Sequence, residues 1–77
     1  MNNTQLETFL KIVETGSFTA TANMQGYAQS TVTTQIKLLE EEFGCLLFER
    51  LGKTLVLTPE GEKLISYAEQ MLQLQRQ

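Results

Sequence analysis

The chain has 77 residues, 42% of them hydrophobic, with six basic and nine acidic side chains, one cysteine and no histidine. That length fits a single small domain with a marginal core, and the cysteine and histidine counts exclude an internal disulfide and the common zinc spacings. With no signal peptide, no apolar run of membrane-spanning length, no glycine-rich phosphate loop and only scattered glutamates and lysines as candidate acids and bases, a cytoplasmic, membrane-free protein is expected that is not an enzyme and holds no metal or cofactor.

Along the chain, Leu6, Phe9, Leu10 and Val13 recur at i, i+3, i+4 and i+7, the stripe of an amphipathic helix over residues 4–14 that Asn2 or Asn3 can cap. Gly16 suits the left-handed residue after a helix. Ser17 can cap the next, a short Phe18–Gln25 segment with Phe18, Ala22 and Met24 as its buried side. Gly26 breaks it. Tyr27 and Ala28 lead into a third helix, about Gln29 to Phe43, which Gly44 stops. Two helices joined by a short glycine-containing turn have the outline of a helix-turn-helix.

Cys45, among apolar neighbours, reads as a small core residue rather than a redox thiol. Two β-favouring runs, around Leu47–Arg50 and Thr54–Leu57 with Leu51-Gly52-Lys53 between them, predict a hairpin or wing. Thr58 as N-cap, Pro59 at the first helical position and Glu60 and Glu62 near the positive end of the helix dipole then open a last helix. Gly61 disfavours that helix, which implies a close backbone approach. Leu64, Tyr67, Met71 and Leu74 repeat with heptad spacing, either to pair with a second subunit or to pack on the domain. The pattern reaches Gln77 uncapped, so a longer protein with a linker helix here is expected.

At about 100° per residue, Val32, Ile36, Leu39 and Phe43 share one face of the third helix. Ser30, Thr33, Thr34 and Lys37 lie opposite, with Gln29 at the flank and Glu40, Glu41 and Glu42 at the far end. Such a face can read DNA: Gln pairs with adenine, hydroxyls donate or accept, and Thr methyls meet the thymine methyl. It can equally do no more than solvate an ordinary helix.

The stretches 16–22 (GSFTATA), 27–50 (YAQSTVTTQIKLLEEEFGCLLFER) and 55–61 (LVLTPEG) make the chain resemble the N-terminal DNA-binding domain of LysR-type transcriptional regulators, in order and without gaps over nearly the whole length. The resemblance implies a mainly α winged helix-turn-helix: a three-helix core, a two-stranded β wing and a C-terminal linker helix. The domain would cover residues 1–58 and the start of the linker 59–77. It also implies a bacterial regulator that binds double-stranded DNA at an interrupted inverted repeat. Such a protein would be a homodimer through Leu64, Tyr67, Met71 and Leu74, with higher oligomers at full length and a small-molecule effector held by a C-terminal domain absent from this chain. Gln29, Ser30, Thr33 and Thr34 fall at the family's base-reading positions, and Arg50 and Lys53 fall on the wing that meets backbone or minor groove. Lys37 joins them as a backbone anchor.

The chain departs from the family at several positions. Thr21-Ala22 replaces paired alanines, Gln25 an apolar residue, Thr34 a frequent arginine and Ala28 a capping serine. Buried without a partner, Gln25 would cost roughly 1–3 kcal/mol. The net charge of −3 is also unusual for a DNA binder, and it sustains an alternative: a winged-helix protein-interaction module whose DNA face is idle. Lys37 could pair with Glu41 and Arg50 with Glu49 instead of with phosphate. Lys11, Lys63 and Arg76 read as solvated charges, and Tyr27 as a core anchor ahead of a DNA contact.

Overall fold

The computed structural model describes residues 1–76; Gln77, the last residue of the expected linker segment, lies outside the described residues. Helices α1 (Asn3–Thr15), α2 (Phe18–Gln25) and α3 (Gln29–Phe43) are followed by strands β1 (Phe48–Leu51) and β2 (Thr54–Leu57) and helix α4 (Pro59–Arg76). The two strands pair antiparallel from Phe48↔Leu57 to Leu51↔Thr54. This is a winged helix-turn-helix.

Local chemistry sets the boundaries. Asn2 and Gln5 form a reciprocal capping box at α1. The Ser17 hydroxyl accepts from the Ala20 N–H at α2, and the Thr58 hydroxyl from the Gly61 N–H at α4. Gly16, Gly26 and Gly44 close the first three helices at φ 71°, 73° and 70°, where a Cβ is penalised. At the hairpin, Gly52 alone takes a positive φ of 65° at the first loop position, the pattern of a type II′ turn. Leu51 therefore belongs to β1, and the loop is only Gly52-Lys53.

The core brings Leu6, Phe9 and Ile12 of α1 together with Ala22, Val32, Ile36 and Leu39 of the helix-turn-helix, Leu47 and Phe48 before and in the wing, and Leu64, Ala68 and Leu72 of α4. The Phe48 ring joins the layers, with centroids 5.5 Å from Phe9 and 5.8 Å, nearly edge-on, from Phe18.

Several expected core positions differ. α1 packs on α2, α3 and α4, so its buried arc is wide: Thr8 and Ile12 lie inside, while Leu10 and Val13 sit at the rim. On α2 the buried residues are Thr21 and Ala22; Phe18 is half-buried and Met24 is exposed. Tyr27 is 41% exposed and no core anchor, because the turn at Gly26 bonds the Tyr27 N–H back to the Ala22 carbonyl (2.9 Å) and swings the side chain out. Phe43 is also exposed, since the last turn of α3 runs past the core, and Cys45 is half-buried rather than interior. α4 packs through Gly61, Leu64, Ala68 and Leu72, so of the heptad set only Leu64 is buried; Tyr67 and Leu74 face outward and Met71 is half-buried.

The unusual polar residues have partners. Thr21, fully buried, sits 2.8 Å from the Thr15 hydroxyl. Gln25 is half-buried, with its amide oxygen 3.3 Å from the Thr8 hydroxyl, so the feared penalty does not arise. Lys11 pairs with Glu14 at 3.1 Å and Arg76 with Glu7 at 3.6 Å, rather than standing as free charges.

Gly61 is where α4 crosses the chain entering the wing. A Cβ there would run into the Leu47 carbonyl and come 2.7 Å from Leu57 Cδ2. Gly61→Ala should therefore lower the unfolding free energy by about 1–3 kcal/mol in urea titration. Helix propensity alone would raise it by about 1 kcal/mol, so a stabilised variant would contradict the close approach.

Candidate nucleic-acid interface

α3 exposes its first turn. Gln29, Ser30 and Thr34 are exposed and uncharged, whereas Thr33 is half-buried at the edge of a groove between α3 and the wing. The groove is also lined by Gln29 and Lys37 from α3 and by Arg50 and Leu55 from the hairpin. It thus gathers two of the four expected base readers and two of the three expected backbone anchors. Ser30 and Thr34 lie outside its lining, and Lys53 stands at the exposed hairpin tip.

Thr19 of α2, which the sequence did not single out, donates its hydroxyl to Gln29 Oε1 at 3.0 Å. A carbonyl oxygen has two lone pairs, so Gln29 keeps one acceptor site and both amide hydrogens for a further partner. The bond narrows the rotamers of an exposed side chain and reduces the entropy lost when it is ordered. No periodicity in the sequence could flag Thr19, because its role depends on where α2 and α3 meet. Ala28 gives α3 no side-chain cap, and with the Thr31 N–H bonded to the Ala28 carbonyl at 3.0 Å, the Gln29 and Ser30 N–H groups are left available to an acceptor outside the domain.

Charge is arranged by pairing more than by total. Among the described residues, Lys37, Arg50 and Lys53 make no ion pair; neither Lys37–Glu41 nor Arg50–Glu49 forms. Several acidic groups are engaged elsewhere. Glu42 pairs with the amino group of Met1, Glu14 with Lys11 and Glu7 with Arg76. Glu40 turns toward the wing, where its carboxylate accepts from the Leu47 N–H at 2.8 Å. That bond ties the end of α3 to the start of the hairpin and so holds the two walls of the groove together.

Among the described residues no group of three His, Cys, Asp or Glu could hold a metal ion, and no helix is long and apolar enough to cross a membrane.

The sequence matches, over residues 3–62, the family model for bacterial regulatory helix-turn-helix proteins of the lysR family. The uncharacterized HTH-type transcriptional regulator YwqM of Bacillus subtilis (strain 168) is 56% identical over 70 residues, 91% of this chain and 24% of that protein. The crystal structure of VV2_1132, a LysR family transcriptional regulator, superposes with a TM-score of 0.92 at 34% identity, covering 99% of this chain and 28% of that one. The BenM_DBD/catB site 1 DNA complex gives a TM-score of 0.87 at 38% identity over 95% of this chain and 78% of that one. The chain spans about a quarter of the length of the curated relatives it matches.

Removing the Glu40 acceptor should loosen the groove. Glu40→Ala should cost about 1–3 kcal/mol in urea unfolding and speed amide exchange at Leu47, while Glu40→Gln, which keeps a carbonyl oxygen, should cost less. Equal effects of the two variants would contradict the bond.

Proposed function

The chain belongs to the LysR-type family of bacterial helix-turn-helix transcriptional regulators, and we propose that it acts as the DNA-reading domain of such a regulator, with the first turns of α3 in the major groove and the wing against the sugar–phosphate backbone. The observation that carries this reading is the coexistence of an uncharged first turn of α3 with three cations, Lys37, Arg50 and Lys53, that no carboxylate engages. Gln29, Ser30, Thr33 and Thr34 read base edges by hydrogen bonds and methyl contacts, Thr33 from the rim of the groove. The three cations hold phosphates and set the register without reading sequence. The uncapped N–H groups at the start of α3 add phosphate donors that carry no net charge.

With few cations per domain, a single copy binds weakly. Affinity comes from two domains on the halves of an interrupted inverted repeat, the second engagement made effectively intramolecular by dimerisation. Tyr67, Met71 and Leu74 on α4 supply the apolar surface for that pairing, with Leu64 already buried in the domain's own core. Residues from Pro59 on then serve as the linker, and the effector binds elsewhere in a full-length, non-catalytic cytoplasmic regulator that forms larger oligomers.

A second reading, a protein-interaction module, draws on the net charge of −3 and on exposed Phe43, Leu46 and Tyr67. Paired substitutions separate the two. On its preferred duplex, Gln29→Ala should reduce discrimination against a scrambled duplex by about 1–3 kcal/mol. Lys53→Ala should weaken both duplexes alike and shrink the salt slope by roughly 0.9. If titrations show neither change, DNA reading by this face is excluded and the protein-interaction module is favoured.

A further inference from the structure

Thr8 of α1 is fully buried, yet it meets two glutamines. Its Oγ1 lies 2.5 Å from Oε1 of Gln35 on α3 and 3.3 Å from Oε1 of Gln25, the last residue of α2. One hydroxyl proton serves one carbonyl at a time. The nearer Gln35 Oε1 is its principal acceptor, and Gln25 Oε1, at 3.3 Å, is the longer alternative one. A single interior hydroxyl thereby ties α1 to both helices of the helix-turn-helix.

The apolar contacts that hold α3 on the body are made by Val32, Ile36 and Leu39, and its other polar ties, from Gln29 to Thr19, Glu40 to the Leu47 N–H and Glu42 to the Met1 amino group, lie toward its two ends. Burial of apolar area is non-directional and tolerates a small rotation or slide of the helix. A hydrogen bond is directional and weakens steeply once its angle opens. Gln35 follows Thr33 and Thr34 directly in the same rigid helix, so a rotation of α3 about its axis moves those side chains and breaks the Thr8 contact together.

We infer that Thr8, through Gln25 and Gln35, is a positioning residue for the recognition helix: it fixes the rotation of α3 against α1 and α2 and thereby sets how well the domain discriminates its site. This rests on α3 being the base reader. Polar interior groups used in this way specify one arrangement among several that apolar packing would accept. It also gives Gln25, polar where the family is usually apolar, a role coupled to Thr8 rather than an isolated departure.

The test compares the 77-residue chain with Thr8→Val, which keeps the shape and removes the hydroxyl, and Thr8→Ser, which restores it. Both glutamines are half-exposed and can turn to water, so the valine variant has a route to a folded state. Two readouts are taken: amide exchange residue by residue without DNA, and the affinity ratio for preferred over scrambled duplex. The expected result for Thr8→Val is a roughly three- to tenfold faster exchange confined to α2 and α3, and a fall in the affinity ratio of similar size with scrambled-duplex affinity unchanged. Thr8→Ser should match the wild type in both. Exchange that accelerates uniformly through α1, α3 and α4, or an unchanged ratio in a wild type that does discriminate, would overturn the inference and leave Thr8 an ordinary packing residue. Selective loosening of α2 and α3 in a protein that never discriminates duplexes would uphold the pin and overturn base reading by α3.

Discussion

The fold depends on a short crossing of backbone at Leu46 and Leu47. Two residues from other segments are bonded to it, Glu40 of α3 and Thr58 at the start of α4. The Leu47 N–H donates to the Glu40 carboxylate of α3 at 2.8 Å, the Leu47 carbonyl accepts from the Thr58 N–H at 3.0 Å, and the Leu46 carbonyl accepts from the Thr58 hydroxyl at 2.6 Å. The same hydroxyl caps α4 through the Gly61 N–H, and Gly61 has no side chain to obstruct the crossing. The Leu47 side chain meanwhile reaches the core. One irregular dipeptide thus sets the relative placement of α3, the wing and α4. Because buried backbone polar groups need partners, none of these bonds can be given up singly without cost. The groove between α3 and the hairpin follows from this junction.

The second constraint is where charge sits. A chain of net charge −3 would repel nucleic acid if its carboxylates were evenly spread. Instead Glu7, Glu14, Glu40 and Glu42 are turned to partners within the protein, and the groove retains two cations with no ion-pair partner, Lys37 and Arg50, beside one such carboxylate, Glu49. Exposed ion pairs contribute little to stability. Their larger effect here is local, since a carboxylate beside its own cation projects less field toward a phosphate. Total charge speaks to solubility and long-range steering, whereas the α3 face is governed by its own few side chains.

Much of the fold was legible because its signals are local. A cap is a side chain bonding an N–H three residues on, as at Asn2, Ser17 and Thr58, and a left-handed glycine acts on its own helix, as at Gly16, Gly26 and Gly44. Gln29–Phe43, the hairpin and the N-terminus of α4 could therefore be bounded from sequence. What failed depends on how elements cross. Phe43 and Tyr67 have the spacing of core residues but point outward, while Ala68 and Leu72 carry α4's packing. Of the site, the polar face of α3 could be projected by periodicity alone. The groove that brings Thr33 and Lys37 to Arg50, the Thr19–Gln29 bond and the Glu40 tie join residues from different elements, and no spacing rule announces them.

The central claim is that the uncharged first turns of α3 read bases on a domain that is acidic overall. It is tested most directly by selecting from a random duplex library with the 77-residue chain at low salt, then titrating the recovered duplex against its scrambled counterpart at two salt concentrations. The account predicts enrichment of an interrupted inverted repeat, a clear preference over the scrambled duplex that persists as salt rises, and a shallow salt slope. Recovery of unrelated sequences bound no better than the scrambled duplex would contradict it.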